Sequence, residues 1–187
     1  MYDVSQIKNK VKELVNNERY EHCLLTGETA KVLAERYGCD KEIAYIVGIS
    51  HDIAKDFSDE ENKKWVLKYN LDKNLLDINY KKMIHADIGA VVCKEWFNFN
   101  DEMCNAIKYH TIANDEMSVF DKIIFIADKV GRKDIPEDLK DLMNIALEDI
   151  DRAMVIFLNK EKDMLNKNGK DLFPGALKLL GKLNSIQ

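Results

Sequence analysis

The chain has 187 residues, of which 46% are hydrophobic, which is enough for one domain whose core needs no disulfide staple. Its 28 basic and 33 acidic residues give a net charge of -5. This balance argues against binding of nucleic-acid polymers, because such binding usually needs a basic face. A small anionic substrate stays possible, since a bound metal ion can reverse the local field.

The N-terminal residues and the cysteines indicate a cytoplasmic protein that makes no membrane contact. The opening residues MYDVSQIKNK are too polar for a signal peptide, and no apolar run approaches the length of a membrane span. The cysteines show no C-x-x-C spacing, so we interpret them as reduced, mostly buried thiols rather than metal ligands. They are Cys23, Cys39, Cys93 and Cys104.

Nearly every segment in the first third of the chain has the helical period. The first apolar stripe consists of Ile7, Val11, Leu14 and Val15. A second helix is predicted over 18–37, and Gly38 is placed to end it because glycine readily adopts a positive φ. The third predicted helix, 40–55, is apolar almost all round, which indicates a central position in the fold.

The helical pattern continues through the rest of the chain. Ser58 and Glu61 form a capping box that opens a short helix, and Pro136 is placed as the first-turn proline of a later helix. Further helices are predicted from about Lys82 to Trp96, from Asn100 or Asp101 to near His110, from Ser118 through VFDKIIFIADKV, and over 137–167 as two helices or one bent helix.

The last segment, 168–187, is predicted to form a loop and then a short helix at Pro174. Leu177, Leu179 and Leu180 make this helix apolar, so it either closes the core, which we favour, or pairs with a second copy in a homodimer. The sequence shows no period-two strand, hairpin signal or internal repeat. It therefore predicts a single all-α domain over 1–187.

Histidine and aspartate recur in an order that a phosphate-cleaving metal site could use. The residues are, in chain order, His22, His51, Asp52, His85, His110 and Asp128. Imidazole and carboxylate ligands in this mixture suit a divalent metal such as iron, manganese or zinc. The order therefore predicts a metalloenzyme.

The pair His51-Asp52 is a weak signal alone, and its context strengthens it. It falls in the last turn of an apolar predicted helix, where a buried carboxylate is costly unless it has a partner such as a metal ion. Lys55 follows His51 by four residues on the same helical face, so it could neutralise a phosphate oxygen. The alternative is an exposed lysine that pairs with Asp52 or Asp56.

Each remaining residue of the set also has a purely structural interpretation. His22 could be a satisfied core histidine, and Asp128 could cap a neighbouring helix. His85 could lie on the surface at a helix N-terminus, and His110 could end a helix, where a cationic imidazole suits the dipole. A purely structural protein would require all four of these interpretations to be correct at once, so it is the weaker hypothesis.

The segments that carry these residues are RYEHCLLTGETAKVLAERYG, GISHDIAKD, HADIGA, YHT and DKIIFIADKV, and the chain ends in DLFPGALKLLGKLN. Together they resemble the YqeK family of HD-domain hydrolases over nearly the whole chain. The resemblance implies a single-domain HD-type helical bundle that binds one or two divalent ions, iron first and otherwise manganese, cobalt or zinc. It also implies symmetrical hydrolysis of diadenosine tetraphosphate, or a related dinucleoside polyphosphate, to two nucleoside diphosphates (two ADP).

The resemblance further implies roles for individual residues. The primary metal ligands would be His22, His51, Asp52 and Asp128. A second metal, or the phosphates directly, would be held by His85 and His110. The catalytic residues would be Asp52, Lys55, His85 and His110. The substrate would be bound by His22, Lys55, Asp56, His85, His110, Lys129, Arg132 and Phe173.

Two loops depart from the family pattern. Thr111 is kept after the fourth histidine, but Ile112, Ala113 and Asn114 follow it in place of a Thr-Gly-like turn. After Asp128, the chain has Gly131-Arg132 where the family typically has Glu-Pro. These departures concern base preference and catalytic efficiency, and neither touches the metal core.

A divalent metal lowers the pKa of bound water from about 15.7 to near 7, so hydroxide could attack an inner phosphorus at neutral pH. Asp52 would bridge the ions if two were bound. Two other functions use the same ligands. One is an HD hydrolase acting on nucleoside monophosphates, (p)ppGpp or cyclic nucleotides, and the other is a non-catalytic, metal-dependent nucleotide sensor. The intact ligand set argues against the sensor.

Overall fold

A computed structural model of the chain describes residues 2–77 and 83–185, and within these ranges it contains helices and no strand. The α-helices are α1 Val4–Leu14, α2 Asn17–Arg36, α3 Lys41–Ser50, α4 Asp59–Lys68, α5 Ile84–Phe97, α6 Asp101–Tyr109, α7 Val119–Val130, α8 Leu142–Glu148, α9 Ile150–Lys167 and α10 Pro174–Asn184. Two short 3-10 segments lie at Lys73–Leu76 and Glu137–Leu139. The predicted all-α fold is confirmed.

Local side-chain contacts set several of the helix ends. Ser58 and Glu61 make the predicted reciprocal capping box at α4, and Ser118 makes a second one with Asp121 at α7. Gly38, with φ +68°, follows the end of α2. At α10, Pro174 occupies the first turn, where a missing N–H is harmless.

The third predicted helix is wrong in its length, because α3 ends at Ser50 and not at residue 55. Ser50 Oγ donates to Ile46 O at 2.7 Å, and the ring Nδ1 of His51 contacts Gly48 O at 2.7 Å. Ser50 Oγ also contacts Val47 O at 3.2 Å. The carbonyls of Val47 and Gly48 are the ones that the backbone N–H groups of residues 51 and 52 would use in a continuing helix, and residues 51–56 form turns instead. His51-Asp52 therefore lies just beyond the helix.

Two other predicted boundaries differ from the structure. Pro136 precedes a short 3-10 segment, and α8 begins only at Leu142. Pro136 therefore does not open an α-helix. The predicted start at Lys82 lies outside the described residues, and the helix that follows is described from Ile84. Residues 137–167 hold two α-helices, one of the two alternatives that the sequence left open.

The centre of the fold is formed by α2, α3 and α7. In α3 every residue from Ala44 to Ser50 is buried, and in α7 residues 120–127 are all buried. The helices α2 and α3 cross at two glycines: a Cβ built on Gly48 would lie 2.7 Å from Gly27 Cα. This crossing sets the distance between His22 on α2 and the His51-Asp52 pair that follows α3.

The C-terminal helix α10 packs against α9. Its residues Leu179 and Leu180 are buried, whereas Leu177 is 49% exposed. Cys23 and Cys93 are buried, Cys39 and Cys104 are partly buried, and all four are free thiols. Among the described residues, no helix has the length and apolar character that a membrane crossing needs.

Candidate metal centre

Six histidine and aspartate side chains from five parts of the chain meet at one place. They are His22 in α2, His51 and Asp52 after α3, His85 in the first turn of α5, His110 after α6 and Asp128 in α7. His51, Asp52, His85 and His110 are buried, so the surface alternative for His85 is wrong. The fold thus brings together every residue that the sequence singled out for a metal.

The first group of donor atoms surrounds Asp128. Its Oδ1 lies 2.8 Å from His22 Nε2 and 3.2 Å from His51 Nε2. The donor atoms of these three residues lie within 4.8 Å of one another, which is close enough for one ion to reach all of them. The side chain of Asp128 therefore faces the site, and the helix-capping alternative does not hold.

The second group surrounds Asp52. Its Oδ1 lies 3.1 Å from His85 Nε2 and 3.4 Å from His110 Nε2, and these two nitrogens are 3.2 Å apart. His51 Nε2 is 3.5 Å from Asp52 Oδ2, so His51 stands between the two groups. The two carboxylate oxygens of Asp52 therefore face different histidines of the cluster.

Backbone carbonyls orient three of the rings. The Nδ1 atoms of His22, His51 and His110 contact Gly131 O at 3.1 Å, Gly48 O at 2.7 Å and Ile107 O at 2.6 Å. A carbonyl oxygen can only accept, so each Nδ1 carries the proton and donates it. In the neutral ring this leaves the Nε2 lone pair pointing into the cluster, as metal ligation requires.

Two buried atoms at the centre of the cluster have no hydrogen-bond partner among the described residues: His51 Nε2 and Asp52 Oδ1. His85 Nε2 lies near Asp52 Oδ1, but the contact lacks hydrogen-bond geometry. A buried carboxylate oxygen without a partner is costly. A divalent cation would satisfy both atoms, so the donor set fits a metal ion.

Electrostatics give most of these groups the protonation state that a metal needs. Burial lowers the pKa of His85, and it lowers that of His110 to about 4, so both rings are neutral at pH 7. Burial opposes the ionisation of Asp52, but His51, His110 and His85 hold its pKa well below the usual range. Neutral imidazoles and an ionised carboxylate are the metal-binding forms.

Neighbouring charges also outweigh burial in setting the pKa values of Asp128 and His51. Burial opposes the ionisation of Asp128, but Lys129, His22 and His51 hold its pKa well below the usual range. Burial also lowers the pKa of His51, but the charges of Asp52 and Asp128 outweigh it and raise that pKa. A proton on His51 occupies the position that a cation would take.

A cavity of about 370 Å³ opens above the cluster. His22, Asp52, His110 and Asp128 lie among its lining residues. Outside the cluster, its lining holds five cations, Arg19, Lys55, Lys129, Arg132 and Lys133, and three acidic residues, Glu18, Glu21 and Asp134. Cations around a metal cluster suit an anionic ligand, and phosphate groups in particular.

A family model described as HD domain matches residues 19–133, which is more than half of the chain. The chain belongs to the HD-domain family. The predicted family resemblance is thereby confirmed, and the matched segment contains the His51-Asp52 pair.

Named relatives share this HD domain over most of their length. The chain is 30% identical to the symmetrical bis(5'-nucleosyl)-tetraphosphatase of Bacillus subtilis, with 88% of each chain covered. It is 32% identical to the protein of the same name from Staphylococcus aureus, covering 88% of this chain and 93% of the relative. A crystal structure of a predicted HD superfamily hydrolase involved in NAD metabolism from Clostridium acetobutylicum matches with a TM-score of 0.89, 25% identity and full coverage of both chains.

Three expected substrate-binding cations of the HD domain line the cavity: Lys55, Lys129 and Arg132. Lys55 Nζ lies 3.1 Å from His85 Nε2 and 3.7 Å from Asp52 Oδ1, so it faces the cluster. Lys129 Nζ lies 2.8 Å from Asp128 Oδ2 and donates to His110 O at 3.1 Å. Their contact with a substrate stays a prediction.

Three other expected substrate contacts, Asp56, His85 and Phe173, are not among the residues that line this cavity. Asp56 Oδ2 accepts from the backbone N of Asn16 at 2.8 Å and from its Nδ2 at 2.9 Å. Asn16 in turn caps α2, so Asp56 ties the turn after the HD pair to the helix that carries His22. Phe173 is the residue that precedes α10.

Sequence reasoning assigned no site role to two residues of this HD domain that contact the cluster. Arg19 Nη1 lies 2.9 Å from Asp52 Oδ2, and its spacing three residues before His22 on α2 could have indicated it. Thr111 Oγ1 lies 2.9 Å from His110 Nε2 and 3.2 Å from His85 Nε2. Its position next to His110 was the available signal.

Gly131 lies where the loop after α7 approaches α2 closely. A Cβ built there would lie 2.6 Å from Ala127 O and 2.7 Å from Thr26 Cα, so no larger residue fits this backbone. The close approach of this loop to α2 also brings Gly131 O to His22. The loop therefore orients a candidate metal ligand.

Proposed function

We propose that this HD-domain protein is a metal-dependent hydrolase that cleaves diadenosine tetraphosphate, or a related dinucleoside tetraphosphate, symmetrically to two ADP. The observation that carries the proposal is a pair of buried donor atoms, His51 Nε2 and Asp52 Oδ1, which have no hydrogen-bond partner among the described residues and lie beneath a cavity whose lining includes five cations. The names of the relatives from Bacillus subtilis and Staphylococcus aureus support the substrate class.

The proposed primary ligands are His22, His51, Asp52 and Asp128. The atoms around Asp52 Oδ1 would hold a second ion through His85 and His110. Iron is the proposed metal, as the family resemblance implies; imidazole and carboxylate donors suit iron and also suit manganese, cobalt and zinc. When bound, such an ion supplies Lewis-acid polarisation and lowers the pKa of water from about 15.7 towards 7.

The chain's own cations would hold the phosphates. Lys55, Lys129 and Arg132 line the cavity, and positive groups placed where charge develops stabilise a phosphoryl transition state. The cavity volume of about 370 Å³ lies at the low end of small-molecule sites. We propose that it seats one nucleoside diphosphate half and leaves the other half outside. In this binding position, the central phosphoanhydride bond of the substrate would lie at the cluster.

We propose that residues 1–187 form one HD domain, with 168–187 as a loop and helix packed on it. The burial of Leu172, Leu179 and Leu180 in the core supports this organisation. The matched family segment, 19–133, contains the metal-binding residues, so the C-terminal helices would serve to complete the core around α7 and α9.

Lys55→Ala is expected to keep the metal content and to slow turnover by about 100-fold, because it removes one cation that meets the phosphoryl charge. The metal content and kcat of the purified variant would be measured beside those of Lys63→Ala, an exposed lysine on α4. Loss of the metal from Lys55→Ala would show instead that Lys55 supports the ligands.

A substrate panel tests the proposed function against the other functions of an HD site. Metal-loaded protein would be incubated with diadenosine tetraphosphate, nucleoside monophosphates, (p)ppGpp and cyclic nucleotides at equal concentration. We expect diadenosine tetraphosphate to give the highest kcat/KM. Preference for another compound would reassign the substrate, and tight binding without turnover of any compound would identify a sensor.

A further inference from the structure

The guanidinium group of Arg19 lies at the metal cluster, and helix α2 fixes the position of this residue. It lies in the first turn of α2, where Asn16 Oδ1 accepts from its backbone N at 2.9 Å. Its side chain is 34% exposed, lines the cavity and contacts Asp52 Oδ2 at 2.9 Å. Among the described residues this is the one hydrogen bond of the guanidinium group, whose other donors are free to face the cavity.

The two carboxylates of the cluster, Asp52 and Asp128, have similar surroundings. Oδ1 of each lies near two histidine nitrogens, and Oδ2 of each lies within 3 Å of a cation: Asp52 with Arg19, and Asp128 with Lys129. Asp52 Oδ2 also lies 3.5 Å from His51 Nε2. A divalent ion on the Oδ1 side would neutralise the carboxylate and repel the cation on the other side. The guanidinium of Arg19 would then lose most of its attraction to Asp52.

We propose that Arg19 is a phosphate-binding residue that couples metal binding to substrate binding. Its guanidinium balances the charge of Asp52 in the metal-free protein and turns to the phosphate groups once the metal is bound. An arginine suits both tasks, since its planar fork matches a carboxylate and a phosphate. This inference rests on the proposed function, because it takes the ligand of the cavity to be a nucleoside diphosphate group.

The proposal predicts that Arg19→Ala weakens ADP binding without weakening Mn²⁺ binding. Mn²⁺ should bind as tightly as to the unchanged protein, or several-fold more tightly, because a competitor for Asp52 is removed. The metal-loaded variant should bind ADP at least about 10-fold more weakly, since a hydrogen bond between charged groups is lost. Arg19→Lys, which keeps the charge and loses the fork, should lie between the two proteins in ADP affinity.

Isothermal titration with Mn²⁺, and then with ADP and with pyrophosphate, measures both effects without hydrolysis. Lys133→Ala is the matched control, because Lys133 is also a cation of the cavity but pairs with Glu21 and not with Asp52. It should leave Mn²⁺ affinity unchanged and weaken ADP binding less than Arg19→Ala does. Circular dichroism would establish that each variant is folded.

The outcomes separate this proposal from the proposed function. Weaker Mn²⁺ binding by Arg19→Ala would show that Arg19 only positions Asp52, and unchanged ADP affinity would show that it contacts no phosphate; either overturns the proposal. Failure of the unchanged, metal-loaded protein to bind both ADP and pyrophosphate overturns both proposals. Binding of these probes without hydrolysis of diadenosine tetraphosphate would overturn only the proposed function.

Discussion

Replacing Asp52 with alanine is expected to abolish metal binding and hydrolysis together. Asp52 is 2% exposed and its Oδ1 stands between two histidine nitrogens, whereas its Oδ2 faces His51. The change removes the carboxylate whose two oxygens face the Nε2 atoms of His51, His85 and His110. We expect the metal content to fall to background and kcat/KM to fall by at least about 1000-fold.

Asp121→Ala provides the matched control for loss of a buried aspartate. Asp121 is 4% exposed, and its Oδ2 accepts from Ser118 N at 2.8 Å in the capping box of α7. Its loss should lower the free energy of unfolding by about 1 kcal/mol and leave the metal in place. Full hydrolysis by metal-free Asp52→Ala protein would contradict the mechanism.

Gly48→Ala is expected to have the largest effect on stability. Its Cβ would lie 2.7 Å from Gly27 Cα and 2.9 Å from Gly27 N, and backbone atoms cannot move aside as a flexible side chain can. The helices α2 and α3 must separate, so we expect the free energy of unfolding to fall by about 2–3 kcal/mol. Because α2 carries His22 and α3 leads into His51, metal affinity should fall as well.

Urea denaturation and metal titration of Gly48→Ala test this prediction beside Gly181→Ala. Gly181 also lies within a helix, but a Cβ there would meet nothing within 4 Å. Alanine at 181 should therefore raise the free energy of unfolding by about 0.5–1 kcal/mol. A Gly48→Ala protein with unchanged stability and metal affinity would refute the role of the close crossing.

The fold was predictable where the sequence encodes structure locally. The apolar period and the caps at Ser58 and Ser118 identify helices, because these signals act within one or two turns. The end of α3 was not predictable from hydrophobicity, since buried apolar residues continue beyond it at Ile53 and Ala54. It depends on Ser50 and His51 bonding back to carbonyls, and a pattern of apolar residues does not show those bonds.

The candidate ligands were predictable because histidine and aspartate are rare choices in apolar segments, and their order resembles a known family. Contacts between helices were not predictable from the sequence. The bond from Arg19 to Asp52 joins residues 33 apart, and the bonds from Asn16 to Asp56 join residues 40 apart. Both depend on how α2 lies against the turn after α3, which the glycine crossing sets.

Product analysis of diadenosine tetraphosphate hydrolysis tests the central claim most directly. Purified protein of known metal content would be incubated with this substrate, with and without a chelator, and the products would be separated by chromatography. We predict ADP as the only product, its loss on chelation and its return when iron or manganese is added. Formation of ATP and AMP, or formation of ADP that persists after the metal is removed, would contradict a symmetrical, metal-dependent cleavage at this site.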